Sequence, residues 1–304
     1  MSIENVLITG ASAGIGEGLA RLFAADGARL ILVARNATRL HRLAAELQQL
    51  HGVEHVVIAH DLAVPGAAKM LFDELLLRHL RVDVLVNNAG FGHNDRFATI
   101  PIDEQLAMVQ LNIATLVHLT HLILPQMIER REGRILNLGS TASFQPGPFC
   151  AVYFATKAFV LSFSEALWDE VREDNISVTC LCPGPTRTEF GARAGMNDNW
   201  NFAHASMSTA DVCRIGYRGF RRGKRIIIPG LVNRLLTFSV RLSPRRAVLR
   251  IMRLWQRPKT LAPAVVVQRS EPVATSPRVT PARENARGVP AGLATSSVEH
   301  SAGE

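Results

Sequence analysis

Cysteine is scarce in this sequence, and its placement fits neither a metal site nor a disulfide pattern. Four occur in 304 residues: Cys150, Cys180, Cys182 and Cys213. None has the paired spacing of a zinc or iron–sulfur ligand set. Cys180 and Cys182 alternate within one apolar run, as strand-packing residues do. No disulfide framework and no metal is expected, and a reducing cytoplasm fits best. Uninterrupted apolar runs of 18 or more residues are also missing, which argues against a spanning helix. The opening "MSIENVLITGAS" has no basic n-region and runs straight into a strand pattern, so no signal peptide is expected. Histidine adds no metal site: His51, His55 and His60 surround one strand, and His118 and His121 lie three apart without a carboxylate close in sequence.

Acidic residues vanish from one region. Residues 1–213 carry 16 basic and 22 acidic side chains, residues 214–259 carry 14 basic and none acidic, and residues 260–304 balance. The net charge of +8 therefore belongs to one segment and not to the whole chain.

What is present is a repeating α/β pattern. Strands are expected at 5–10, 29–35, 54–60, 82–88, 134–140, 177–182 and 225–230, rich in Val, Ile and Leu with little polar alternation. Amphipathic helical stretches separate them, such as "EGLARLFAADG", ending on Gly27. The pattern predicts a Rossmann-type, doubly wound parallel sheet of about seven strands with helices on both faces. That domain spans 1–230. Residues 231–257, "LVNRLLTFSVRLSPRRAVLRIMRLWQR", form a basic amphipathic helical segment interrupted by Pro244. From 258 to 304 the chain is rich in Pro, Ala, Ser, Thr and Val without period, which predicts a disordered tail.

"TGASAGIG" (9–16) follows the first strand and opens the first helix. Glycines there let a pyrophosphate approach the backbone, and N–H groups at a helix start favour an anion. The spacing Gly-x-x-x-Gly-x-Gly resembles the short-chain dehydrogenase/reductase superfamily in its single-domain branch. The resemblance recurs along the chain in "HDLA", "NNAG" (87–90), the asparagine of "MVQLNIATL", a serine ending the fifth strand, Tyr-x-x-x-Lys and "PGPTRT" (183–188). A finer similarity links "AVYFATKAFVLSFSEAL" and "CPGPTRTEF" to a bacterial group acting on hydroxy acids, ketones and acyl substrates. It implies a reaction and leaves the substrate open.

The resemblance implies a dinucleotide held by Gly10, Ser12, Gly14, Ile15 and Gly16 of the turn, Asp61 beside the adenine, Asn88, Ala89 and Gly90 in the cleft, and Pro183, Gly184, Thr186 and Thr188 over the nicotinamide. At the end of the second strand an acid would accept from a ribose 2′-hydroxyl, whereas an arginine accommodates a 2′-phosphate. This chain has Arg35 there and Arg39 one turn on, which points to NADP(H) over NAD(H); stacking of Arg35 on the adenine is the alternative. Position 13, where the family's other basic phosphate ligand stands, is alanine.

Reducing a ketone needs a proton donor for the developing alkoxide. Tyr153 and Lys157 share a helix face, so the ammonium can favour the phenolate and make the phenol useful near neutral pH. Ser140 can hold the carbonyl toward it. By family analogy Lys157 also binds the nicotinamide ribose, and Asn112 holds a relay water. Phe190, Met196, Trp200, Phe202 and Met207 are expected in an apolar lid within 187–208, facing a wall with Phe144 and Phe149; Arg187 and Arg193 are candidates for a charged substrate.

The expected function is NADPH-dependent reduction of a hydrophobic or aromatic ketone, or the reverse alcohol oxidation. The alternatives are a 3-oxoacyl or 3-hydroxy acid oxidoreductase of the same family and a non-catalytic NADP-binding sensor. A homodimer or homotetramer follows from the resemblance. Segment 231–257 has three readings: packing on the domain, peripheral contact with an anionic membrane, or nonspecific nucleic-acid binding, for which no recognised fold is present.

Overall fold

The apolar runs become strands because each is covered on both faces. In the computed structural model, which describes residues 3–195 and 206–258, β1 (Asn5–Thr9) leads through the glycine-rich turn into α1 (Gly14–Ala25). Next come β2 (Arg29–Ala34), α2 (Ala37–His51), β3 (His55–Ala59), α3 (Ala67–Leu77) and β4 (Val84–Asn87). A long helix, α4 (Ile102–Arg130), precedes β5 (Gly133–Leu138), and α5 (Ala151–Val171) precedes β6 (Ile176–Leu181). A short ladder of β7 (Thr186–Arg187) and β8 (Met207–Ser208) flanks α6 (Glu189–Arg193). The chain then runs through α7 (Thr209–Arg221), β9 (Ile226–Ile227), α8 (Leu231–Leu242) and α9 (Arg245–Gln256).

Seven strands pair in the order β3-β2-β1-β4-β5-β6-β9, every neighbour parallel. The order reverses between β1 and β4, the place where such sheets open a crevice for ligands. Leu19, Phe23, Leu40 and Phe220 cover one face, and Leu71, Leu119, Ile123 and Leu167 cover the other. The expected strand at 225–230 is cut to two residues, because Pro229 has no N–H for a ladder and Gly230 turns to φ 86°.

Local chemistry sets the ends of the helices. Asn36 caps α2 by accepting from Arg39 N at 2.9 Å, and Gly52 ends it in the left-handed region. Residues Gln110–Thr115 inside α4 are π-helical, which turns Asn112 and Thr115 into the core. By length and composition α4 is long and apolar enough to cross a membrane, although polar side chains interrupt its apolar runs. Its Leu116, Leu119, Ile123 and Met127 are nonetheless buried in the core.

Candidate active site

A cleft of about 1350 Å³ opens at the carboxyl ends of the strands, above the β1–β4 switch point. Gly10 and Gly14 take φ 66° and 58°, values that a side chain resists, so the turn needs them. Residue 13, the N-cap of α1, is an alanine and bonds no backbone amide through its side chain. The first amides of α1 therefore face the cleft without an internal acceptor, an arrangement suited to an anion. Ser12, Gly14 and Ile15 line the cleft with Gly10. Gly16 does not: it lies beneath the turn against the Gly10 carbonyl and the Asn88 amide.

The turn is braced from β4. Asn88 Nδ2 donates to the carbonyls of Thr9 and Gly10 at 2.8 and 3.1 Å. Thr9 Oγ1 accepts from the amides of Asn88 and Ala89, each at 3.0 Å, and donates to the Val86 carbonyl. Asn88, Ala89 and Gly90 thus form the middle of the cleft floor.

At the far end of the cleft lie Arg35, Arg39 and Asp61. Arg39 Nη1 donates to both carboxylate oxygens of Glu189, at 2.8 and 2.9 Å, linking α2 to α6 across the cleft. Arg35 is 3.9 Å from Asp61 and largely exposed. Asp61 Oδ1 accepts from the Ala63 amide at 3.0 Å. No acidic side chain stands at the end of β2, where residues 34 and 35 are Ala and Arg.

Ser140, Tyr153 and Lys157 line the centre of the cleft, with the amide of Asn112 behind them. Tyr153 and Lys157 lie one turn apart on α5, both buried, with Lys157 Nζ 5.8 Å from the phenol ring centroid. Lys157 Nζ donates to the Leu138 carbonyl at 2.7 Å. Burial pulls its ammonium down to about 8. Burial also pushes the Tyr153 phenol above its ordinary range, and a hydrogen bond with Ser140 acts in the opposite direction.

Asn112 Oδ1 accepts from the Phe91 amide at 3.2 Å, and its Nδ2 donates to the Phe91 carbonyl and to Thr156 Oγ1 at 3.0 and 3.1 Å. The asparagine thus ties the π-helical step of α4 to the segment after β4 and to α5. A Cβ on Gly90 would fall 2.9 Å from Asn112 Oδ1 and 3.6 Å from Lys157 Nζ, so backbone, amide and ammonium converge at this point.

Beyond Tyr153 the cleft continues as a mostly apolar arm, with Asn233, Thr237, Ser239, Ser243 and Gln256 also on its wall. Phe190 packs on the phenol with centroids 5.5 Å apart. From the hairpin of α8 and α9 come Leu236, Val240, Val248, Ile251, Met252 and Trp255. Among the described residues the hairpin adds no charged side chain to the wall. It is seated on the loop after β6, where a Cβ on Gly184 would meet the Asn233 amide at 2.6 Å. Pro183, Gly184, Thr186 and Thr188 line the cleft beside it.

Phe144 and Phe149 are not on the wall of this arm, contrary to expectation. Phe144 packs against Leu116, Val160, Cys180 and Cys182. Phe149 takes φ 67° and turns its ring to the Arg253 guanidinium, 5.9 Å away. Arg193 reaches the cleft but is paired with Glu189 at 2.6 Å; Arg187 is exposed and is not on the wall. Met196, Trp200 and Phe202 lie outside the described residues, and Met207 lines the cleft. The described residues contain no cluster of three metal-ligating side chains.

Three positioning residues escaped the sequence reading. Gly92 lies against Tyr153, whose ring carbon would be 2.9 Å from an added Cβ; its signal was the "FG" after "NNAG". Thr156 bonds both Asn112 and the Tyr153 carbonyl, the latter at 2.8 Å. Asn233 locks α8 to the Pro229 carbonyl at 2.8 Å. Its only trace was one amide in a helix otherwise built of apolar, basic and hydroxyl side chains.

The family pattern described as short chain dehydrogenase matches residues 4–199. The chain is 40% identical over 179 residues to a very-long-chain 3-oxoacyl-CoA reductase of Laccaria bicolor, covering 58% of this chain and 52% of that protein. It thus spans about half the length of that curated relative. Among solved structures, a short-chain dehydrogenase from Sphingobium yanoikuyae in complex with NADPH superposes with a TM-score of 0.72 at 32% identity, over 82% of this chain and 96% of the other. A bulky-bulky ketone specific alcohol dehydrogenase from Comamonas testosteroni gives 0.69 at 28% identity, over 82% and 95%. With its parallel sheet, its braced glycine-rich turn and the match over residues 4–199, the chain belongs to the short chain dehydrogenase family of oxidoreductases.

Proposed function

We propose that the protein is an NADPH-dependent carbonyl reductase, equally an alcohol dehydrogenase in reverse, for a bulky hydrophobic or aromatic ketone. One observation carries this reading: the Tyr153 phenol faces a cleft between Ser140 and a buried lysine, and an apolar arm leads away from it. Bound NADPH would supply the hydride. The uncapped start of α1 and the glycine-rich turn suit its pyrophosphate, and Arg35 and Arg39 suit a 2′-phosphate. NADPH in the Sphingobium neighbour supports the same choice.

In this reading Ser140 Oγ donates to the carbonyl oxygen and holds it beside the phenol. Tyr153 gives its proton to the oxygen as alkoxide character develops. Lys157 stabilises the phenolate left behind and binds the ribose, and Asn112 holds the water through which the proton is restored. In the oxidative direction Lys157 would favour the phenolate together with the positive charge that an oxidised nicotinamide would bring to the cleft.

A 3-oxoacyl substrate is the second reading, favoured by the Laccaria relative's name and by the mostly apolar lining of the arm. Assaying NADPH consumption against aromatic ketones, long-chain ketones and 3-oxoacyl thioesters separates the two. Turnover of the bulky ketones supports the first, turnover of the thioesters alone supports the second, and NADPH binding without any turnover overturns both in favour of a sensor. A homodimer or homotetramer belongs to the same reading, supported by Leu106, Val109 and Phe159 exposed on α4 and α5; light scattering gives the mass that checks it. Four free, buried cysteines support a reducing, cytoplasmic setting.

A further inference from the structure

Helix α8 is packed with its polar side inward. Asn233, Thr237 and Val240 face the body of the protein, and Thr237 is 4% exposed. On the opposite side Leu231, Leu235, Phe238 and Leu242 recur at i, i+4, i+7 and i+11, a single stripe that is 69%, 60%, 59% and 76% exposed. A soluble surface helix has the reverse arrangement, with its apolar stripe on the core. The next helix carries a second stripe at the same spacing. Arg246, Arg250, Arg253 and Arg257 run along the exposed side of α9 and continue past its end, opposite the buried Val248 and Met252. Among the described residues no carboxylate pairs with these four, nor with Arg234, Arg241 or Arg245. Residues 214–259 contain no acidic side chain at all.

We infer that the α8–α9 hairpin docks the protein peripherally on an anionic lipid surface, with the α8 stripe entering the headgroup–acyl boundary and the arginines meeting lipid phosphates. An apolar stripe alone would fit a second copy of the chain or another protein. Arginines without a carboxylate partner on the next helix, with no acid for 46 residues, select a surface that is apolar below and negative above. A nucleic acid would use the arginines and leave the leucines unaccounted for. The two helices also line the cleft: Leu236, Ile251 and Leu231, the first residue of the α8 stripe, are on its wall and remain exposed. The α8 stripe therefore begins at the cleft. Resting on the reading of a hydrophobic ketone, this places the substrate in the lipid phase, to be taken up without crossing water.

The test is co-sedimentation of the full chain with phosphatidylcholine vesicles and with vesicles containing phosphatidylglycerol. Wild-type protein is expected to pellet with the anionic vesicles and to be released by salt. Leu235→Asp/Phe238→Asp and Arg246→Gln/Arg250→Gln should each lower partitioning by about tenfold or more. None of the four positions lines the cleft, so turnover of a water-soluble ketone with NADPH should stay at the wild-type level and report an intact fold. Equal partitioning of wild type and both variants would overturn the docking. So would a wild-type protein that stays in the supernatant, or that forms a dimer dispersed by Leu235→Asp/Phe238→Asp. Loss of ketone turnover in every protein, with partitioning intact, would strike the reductase reading and leave the docking standing.

Discussion

The two halves of the cleft are built in different ways. The half proposed to take the cofactor is made largely of backbone: amides at the start of α1, a turn with two glycines at positive φ, and carbonyls tied by Asn88 and Thr9. The half proposed to take the substrate is walled largely by side chains of two helices appended after the sheet is complete. A backbone site tolerates little variation, because a Cβ or a lost amide removes the geometry itself. A side-chain wall can be repapered residue by residue, and its chemistry then follows whatever the enzyme must accept. The difference also places the two halves on different sides of catalysis. Damage to the first should cost every substrate alike, and damage to the second should depend on the substrate's size.

The comparison is broken most severely at the junction between the halves. Gly92→Ala drives a methyl into the Tyr153 ring and should lower kcat/KM by about a hundredfold for every ketone, large or small. Unchanged NADPH affinity in the same variant, measured by fluorescence titration, would place the loss in the chemistry. Next comes the discrimination between the two dinucleotides. Arg35→Ala/Arg39→Ala should weaken NADPH binding by about ten- to a hundredfold and leave NADH binding nearly unchanged, which paired titrations would show. An equal loss for both cofactors would mean that the arginines hold the adenine and not a 2′-phosphate.

The hairpin predicts smaller and more selective effects. Trp255→Ala should lower kcat/KM by about tenfold for bulky aromatic ketones while a four-carbon ketone is turned over as before, so steady-state kinetics on the pair read the difference. The smallest effect concerns Lys157. Its folded-state pKa of about 8 is below the ordinary lysine value, so between the two the unfolded chain binds the proton and the folded chain does not. Stability contributed by this group therefore rises as pH increases from about 8 toward the unfolded value. Melting temperatures of the cofactor-free protein should show Lys157→Met gaining most relative to wild type at neutral pH, with the gain shrinking between pH 8 and 10.

The cofactor half was legible in the sequence for a physical reason. Its residues act within a few positions of one another or at the ends of strands, so local spacing carries the three-dimensional arrangement. Thus "TGASAGIG", "NNAG" and the four-residue step from Tyr153 to Lys157 all reach the cleft region, with Gly16 displaced beneath the turn. The substrate half was not legible. Phe144 and Phe149 follow Ser140 closely in sequence, but a chain turn at φ 67° points Phe149 away. The wall comes instead from residues about a hundred positions later, whose return over the cleft depends on packing such as that of Asn233 on Gly184. The period of α8 showed an amphipathic helix, yet not which side faces the protein.

Tyr153→Phe provides the most direct measurement of the central claim. With saturating NADPH and a bulky ketone that wild type reduces, the variant should retain cofactor binding and lose about 10²–10⁴-fold in kcat, with alcohol formation falling in step with NADPH consumption. Alcohol formation at the wild-type rate in Tyr153→Phe would contradict the account, because the proton would then reach the carbonyl oxygen from another group.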